Sequence, residues 1–188
     1  MPYGAHETME VHELLNEKMN MINHFSFYVQ HTQNQELRDM ITRHLQTAAQ
    51  SYDQLVSYTH DYSAGMNQQQ PYGIPQVQPQ QVQYGLRQPA PAMPMQGQFG
   101  DREIAMSVLS CHKNSAKNHM AGSLECADPN VRQMLVNGAV TCSNQAYEVF
   151  LFMNRMGMYQ VPTIQDQTAK TFLHTYEPMQ QGAPMPSH

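Results

Sequence analysis

The sequence has few charged residues, few cysteines and no tryptophan. Only 13% of its 188 residues are Asp, Glu, Lys or Arg, and the formal net charge is −5, whereas an ordinary soluble domain has about 25% charged residues. Nucleic-acid binding depends on clustered Lys and Arg, so the lack of basic runs argues against a nucleic-acid partner. The apolar runs are also far shorter than the ~20 residues that span a bilayer, so we expect no membrane insertion.

The three cysteines, Cys111, Cys126 and Cys142, cannot all pair within one chain. Their spacing also differs from that of metal fingers, so we expect free thiols rather than a disulfide framework. The first residues lack the basic and apolar regions of a signal peptide. We therefore expect synthesis in the cytoplasm.

The middle of the chain has a different composition from the rest. Between residues 67 and 98 there are eleven Gln and six Pro, and Arg87 is the only charged residue. Proline blocks helices, and this segment has too few large apolar residues to fold alone. Residues 65–100 are therefore predicted to be a flexible linker. Residues 163–188 are predicted to be a mostly irregular tail, in which Phe172 and Tyr176 are able to dock on the folded part.

Two segments with helical periodicity flank the linker. Apolar residues recur at spacings of three, four and seven, which predicts helices over about 7–30 and 35–62, and again over about 101–127 and 129–157. Asp101 is expected to act as the N-cap of the third helix, and Pro129 fits the first turn of the fourth. Residues 1–64 and 101–162 are thus two helical hairpins.

Several identities relate the two hairpins at an offset of 94 residues; for example, Leu15 aligns with Leu109 and Arg38 with Arg132. Neither hairpin can bury its apolar face alone, so the two are expected to form one all-α domain, a four-helix bundle. The linker is long enough for either a crossover or an up-down topology.

Residues 101–162 resemble the Coat F domain of the spore coat protein F family. The matching positions are Asp101, Ile104, Ala105, Leu109, Lys113, Glu125, Pro129, Val131, Arg132, Met153, Gly157, Tyr159 and Pro162. The resemblance implies a ferritin-like bundle that is deposited in the coat of the bacterial endospore after synthesis in the mother cell. The implied partners are other coat proteins or a second copy of the chain. The sequence departs from the family at Met158, where an aromatic residue is usual, and at residues 144–146, which often include a His-Glu pair.

Ferritin-like bundles often hold two iron ions, but that site requires Glu-x-x-His motifs, and the sequence contains none. His24 and His44 should lie level on neighbouring helices, and in a crossover topology His112 lies near them. Imidazole suits zinc, nickel or copper, which makes these three weak candidates for a metal site. The simpler interpretation is that they bond to backbone or water. We expect no catalytic residue and no cofactor.

The sequence therefore favours a non-enzymatic structural protein of the endospore coat. Tyr72, Tyr84 and the three cysteines are candidates for cross-linking in the mature coat. Two alternatives remain open: a metal-binding or redox protein on a ferritin-like bundle, and a soluble adaptor with a Met-rich surface.

Overall fold

The computed structural model describes residues 4–61, 70–85 and 99–178. These ranges contain five α-helices: α1 (Ala5–His31), α2 (Gln35–His60), α3 (Asp101–Leu124), α4 (Pro129–Arg155) and α5 (Asp166–Leu173). Within them the only extended pairing is an isolated antiparallel bridge between Gly85 and Val161. The predicted all-α helical bundle is confirmed.

Polar side chains mark the helix starts. Asn34 caps α2 by accepting a hydrogen bond from Leu37 N at 3.0 Å, and Asp128 caps α4 by accepting hydrogen bonds from two backbone amides. The prediction that Asp101 caps α3 is wrong, because Gly100 is the N-cap. The Asp101 carboxylate instead accepts hydrogen bonds from Gln33 N and Asn34 N, at 2.8 and 3.0 Å.

These contacts define the topology. The bonds to Asp101 place the start of α3 beside the α1–α2 loop. At the opposite end of the bundle, the hydroxyl of Tyr58, near the end of α2, donates to the Asp128 carboxylate at 3.0 Å. The chain must therefore cross the length of the bundle, ~38 Å, between α2 and α3. Of the two topologies that the sequence allowed, the structure has the crossover. Ferritin-like bundles also contain one long crossover connection.

Part of the crossover lies along α4. Asn144 Nδ2 donates to Tyr72 O at 2.6 Å. Further along, Gln83 N donates to Asn154 Oδ1 at 2.7 Å, and Asn154 Nδ2 donates back to Gln83 O at 2.8 Å. Residues 70–85 thus run parallel to α4. The flexible linker was predicted over residues 65–100. Of these, residues 65–69 and 86–98 lie outside the described residues.

The bundle core has two apolar clusters. One is built around Phe25, Ile41, Val108 and Phe152, and the other around Val11, Leu14, Leu55, Tyr58, Val131 and Leu135. Polar side chains are buried between and beside these clusters. The apolar clusters hold the four helices together, and the buried polar residues are the candidates for function.

Helix α5 and the described residues after it do not contribute to the core. Helix α5 has no packing contact with the other helices, and Phe172 and Tyr176 are 69% and 81% exposed. The prediction that these two residues dock on the bundle is therefore wrong. None of the described helices is long and apolar enough to cross a membrane.

Candidate functional site

Three side chains in the bundle core form a hydrogen-bonded chain, which we call the histidine relay: His112 of α3, His44 of α2 and Glu148 of α4. His112 Nε2 lies 3.1 Å from His44 Nδ1. His44 Nε2 lies 2.9 Å from Glu148 Oε2. Both imidazole rings are fully buried and nearly perpendicular, with centroids 4.8 Å apart. Three helices therefore meet through polar side chains inside the core.

The hydrogen-bond pattern defines the tautomer of each ring. An ionised carboxylate only accepts hydrogen bonds, so His44 Nε2–H donates to Glu148. Burial lowers the pKa of both His44 and His112 below the ordinary value, so both rings are neutral at pH 7. His44 Nδ1 then has a lone pair and accepts from His112 Nε2–H. His112 Nδ1 is left without a hydrogen-bond partner.

Glu148 is the anionic end of the relay. Arg43 Nη2 donates to its Oε1 at 2.6 Å, and the Tyr72 hydroxyl donates to its Oε2, also at 2.6 Å. Burial alone would raise the pKa of Glu148, but hydrogen bonds from His44, Tyr72 and Arg43 outweigh this effect and lower it to about 2. Since Tyr72 belongs to the crossover, the crossover completes the relay.

The structure brings together two of the three predicted metal candidates. His44 and His112 are adjacent in the core, whereas His24 is exposed on α1, where its ring lies 6.0 Å from that of Tyr28. Among residues 4–61, 70–85 and 99–178, no group of three or more His, Cys, Asp or Glu is placed to hold a metal ion. The predicted three-histidine cluster is therefore not assembled.

The two tyrosines predicted to cross-link have different surroundings. Tyr72 is half-buried, its hydroxyl is bonded to Glu148, and burial raises the pKa of its phenol. Tyr84 is 64% exposed. A macromolecular partner can therefore reach Tyr84 more readily than Tyr72.

All three cysteines are free thiols. Burial raises the pKa of the half-buried Cys111 to about 12 and that of Cys126 to about 11, and it also raises the pKa of the buried Cys142. Cys126 Sγ–H donates to Gly122 O at 3.3 Å. Because the thiolate is the reactive form, these thiols are poor nucleophiles at pH 7.

A second buried polar region, which we call the lysine cavity, lies between the two apolar clusters. It has a volume of about 50 Å³, and its lining includes Lys18, His119, Cys142 and Gln145. Lys18 and Gln145 are 5% and 2% exposed, and His119 is 1% exposed. The cavity therefore concentrates polar side chains from α1, α3 and α4 within the core.

Gly138 makes room for the imidazole ring in this cavity. A Cβ atom at Gly138 would lie 2.4 Å from His119 Cδ2, much closer than van der Waals contact. The His119 ring therefore lies directly against the backbone of α4, and only glycine leaves enough space for it.

Sequence reasoning missed the lysine cavity, although a signal was present. Leu14, Lys18, Met21 and Phe25 follow one another at spacings of four, three and four, so Lys18 occupies a core position of α1. On α3, His119 follows His112 by seven residues and shares its buried face. A lysine or histidine in the apolar stripe of a helix is the pattern that would have found the cavity.

Comparisons with known proteins agree with this fold. Residues 100–162 match the Coat F domain. The chain is 26% identical over 183 residues to the spore coat protein F-like protein YhcQ of Bacillus subtilis (strain 168), covering 96% of this chain and 83% of that protein. A crystal structure of a Bacillus halodurans C-125 protein assigned to the spore coat has a TM-score of 0.66 at 15% identity, covering 88% of this chain and 97% of that chain.

The helical bundle is thus shared with a solved structure, and the resemblance to the spore coat protein F family is confirmed. The residues that match the Coat F domain form α3, α4 and the segment directly after α4. The helices α1 and α2 provide the other half of the bundle.

Proposed function

We propose that this protein is a non-enzymatic structural component of the bacterial endospore coat. It is made in the cytoplasm of the mother cell and deposited in the coat, where it associates with other coat proteins or with further copies of itself. The main support is the Coat F domain together with a relative, named as a spore coat protein F-like protein, that aligns along nearly the whole chain.

The bundle acts as a scaffold, and the tail supplies assembly contacts. This part of the proposal is supported by α5, an eight-residue helix that exposes Phe172 and Leu173 by 69% and 68%. Exposed apolar groups of this kind, which no other described helix covers, are suited to contacts with other proteins. The exposed part of the crossover around Tyr84 provides a second contact region.

A fluorescent fusion of the full chain, followed through sporulation, tests this function. We expect the signal to surround the developing spore and to remain in purified spores. The double variant F172S/L173S changes only exposed side chains, so it should keep the helical fold but reach the coat less efficiently. Diffuse signal in vegetative cells, with none in purified spores, would contradict the coat function. A double variant that localises like the wild type would contradict the role of the tail.

Covalent cross-linking through Tyr84 is a finer part of the same proposal. A peroxidase could couple two tyrosine rings by taking one hydrogen atom from each while hydrogen peroxide is reduced to two waters. We expect the wild type and Y72F to resist detergent extraction from mature spores, and Y84F to be extracted more completely. Full extraction of the wild type without reductant would contradict this part.

A metal-binding or redox function has weaker support. The relay offers one unpartnered imidazole nitrogen, His112 Nδ1, and in the described part of the chain no third ligand completes a metal site. Cofactor-dependent activity is therefore not part of the proposal.

A further inference from the structure

The lysine cavity contains polar groups that have no partner among the described residues. His119 Nδ1–H donates to Ser115 O at 2.9 Å, so the lone pair of the neutral ring is on Nε2. This Nε2 atom is buried and has no hydrogen-bond partner in the described structure. Gln145 Nε2, an amide donor, is also buried and has no hydrogen-bond partner among the described residues.

Lys18 adds a cationic donor to the same cavity. Its side chain is buried, and none of the described carboxylates forms an ion pair with it. Burial lowers the pKa of Lys18, because an ammonium group loses its hydration in the core. An anionic ligand would compensate for this loss.

Unpaired buried polar groups are costly, and native proteins rarely leave several of them in one place. The cavity volume of about 50 Å³ corresponds to about four water-sized groups, since one group needs ~10–15 Å³. A ligand with four non-hydrogen atoms therefore fits the space.

We propose that the lysine cavity binds a small oxyanion that carries one hydroxyl group, the chemical class of hydrogencarbonate. Its negative oxygens accept hydrogen bonds from Lys18 Nζ and Gln145 Nε2. Its hydroxyl donates to the lone pair of His119 Nε2. The ligand thus supplies an acceptor for Gln145 Nε2 and a donor for His119 Nε2, which have no partner among the described residues, and a counter-charge for Lys18.

Two other occupants fit less well. A metal cation would be repelled by the Lys18 ammonium, and the described residues contain no group of three metal-binding side chains. A planar oxyanion without a hydroxyl, such as nitrate, has no proton to donate and would bring its own lone pairs against His119 Nε2. Nitrate therefore serves as the matched control for hydrogencarbonate.

Isothermal titration calorimetry and thermal unfolding of the full chain test the proposal, with sodium hydrogencarbonate and sodium nitrate as probes at equal ionic strength. We expect hydrogencarbonate to bind at least about tenfold more tightly than nitrate, as the loss of one buried hydrogen bond of about 1.4 kcal/mol implies. At about 100 times Kd, hydrogencarbonate should raise the Tm by about 5–10 °C.

Three variants locate the ligand. K18M removes the ammonium and Q145L removes the amide, so either should weaken hydrogencarbonate binding about tenfold or more. K117M changes an exposed lysine on the same helix as His119 and should bind like the wild type. Q145L tests the site independently should K18M fail to fold.

The proposal is overturned if hydrogencarbonate up to 100 mM gives no binding heat and no rise in Tm, the result expected of a cavity filled with water alone. It is also overturned if nitrate binds as tightly as hydrogencarbonate, or if K18M and Q145L both keep the affinity of the wild type. The coat function does not depend on this site, because localisation of the fusion protein is measured separately.

Discussion

The histidine relay and the lysine cavity are two buried polar regions of the same bundle, and they differ in how completely the chain satisfies them. In the relay, Glu148 accepts hydrogen bonds from His44, Tyr72 and Arg43. In the lysine cavity, His119 Nε2 and Gln145 Nε2 have no partner among the described residues.

The crossover explains much of this difference. It carries Tyr72 to Glu148 and so adds a donor that the four long helices do not provide. Gln70, at the start of the same described segment, lines the lysine cavity, but the buried donors and acceptors there remain unpaired. The described residues therefore satisfy the relay at its Glu148 end and leave only His112 Nδ1 unpaired at the other end, whereas the cavity has two unpaired side chains beside a buried lysine and the character of a binding site.

The largest effect is expected from acid, which acts on both polar regions. Burial lowers the pKa of His44 and His112 and lowers that of His119 to about 3. In the unfolded chain these histidines take up protons below about pH 6.5. The unfolded state then binds more protons than the folded state, so the free energy of unfolding is greatest above pH 6.5 and falls as the pH decreases.

Urea unfolding at pH 7 and pH 5 measures this loss. For three buried neutral histidines we expect about 4–6 kcal/mol between the two values. H119N should reduce the loss by about a third, and H24N, at an exposed position, should keep it. Equal free energies of unfolding at pH 7 and pH 5 would show that the buried rings are not neutral.

The second largest effect is expected from removing the anionic end of the relay. E148A leaves His44, Arg43 and Tyr72 without their acceptor, which should lower the free energy of unfolding by about 3 kcal/mol. E36A is the matched control, because Glu36 forms an exposed ion pair with Arg155 and its loss should cost less than about 1 kcal/mol. Equal losses in the free energy of unfolding of E148A and E36A would contradict the prediction that Glu148 stabilises the fold more than an exposed carboxylate does.

A smaller effect is expected in the lysine cavity. In G138A the new methyl group meets the His119 ring, so the ring or α4 must shift, at a cost of about 1–3 kcal/mol. G73A is a suitable control, since a Cβ atom at Gly73 meets nothing within 4 Å. Thermal unfolding of both variants compares them, and a wild-type Tm for G138A would show that the ring does not lie against α4.

The smallest effect is expected from the contact that joins the crossover to the relay. Y72F removes only the hydroxyl that donates to Glu148, so the free energy of unfolding should fall by about 1 kcal/mol. Hydrogen exchange should also become faster at Tyr72 N, which donates to Thr141 Oγ1. Unchanged exchange there would mean that other contacts hold the crossover on α4.

Helical periodicity was sufficient to predict the four long helices, because each needs an apolar stripe to pack on the others. The topology could not be predicted, since a linker of more than thirty residues can reach either end of the bundle. In the structure, the contact of Asp101 with the α1–α2 loop places the start of α3 at that end of the bundle and so fixes the crossover. That contact also explains why the predicted capping role of Asp101 was wrong.

The candidate site was predictable only in part. A cluster could be predicted because His44 and His112 were expected at the same height along neighbouring helices. Height along a helix does not determine which way a side chain faces, however, and His24 lies outside the cluster. Glu148 and Tyr72 were missed as partners because their contacts join residues 76 positions apart. Lys18 was missed because a lysine in an apolar stripe is more often at the edge of a bundle than inside it.

The contrast between the hydrogen-bonded relay and the lysine cavity can be tested most directly by NMR of the histidine side-chain nitrogens during titration with hydrogencarbonate. We expect His119 Nε2 to shift as it gains a hydrogen-bond donor, while His44 Nδ1 and His112 Nε2, already bonded to each other, keep their resonances. Equal shifts at all three rings, or an unchanged His119 resonance at saturating hydrogencarbonate, would contradict the distinction between the two regions.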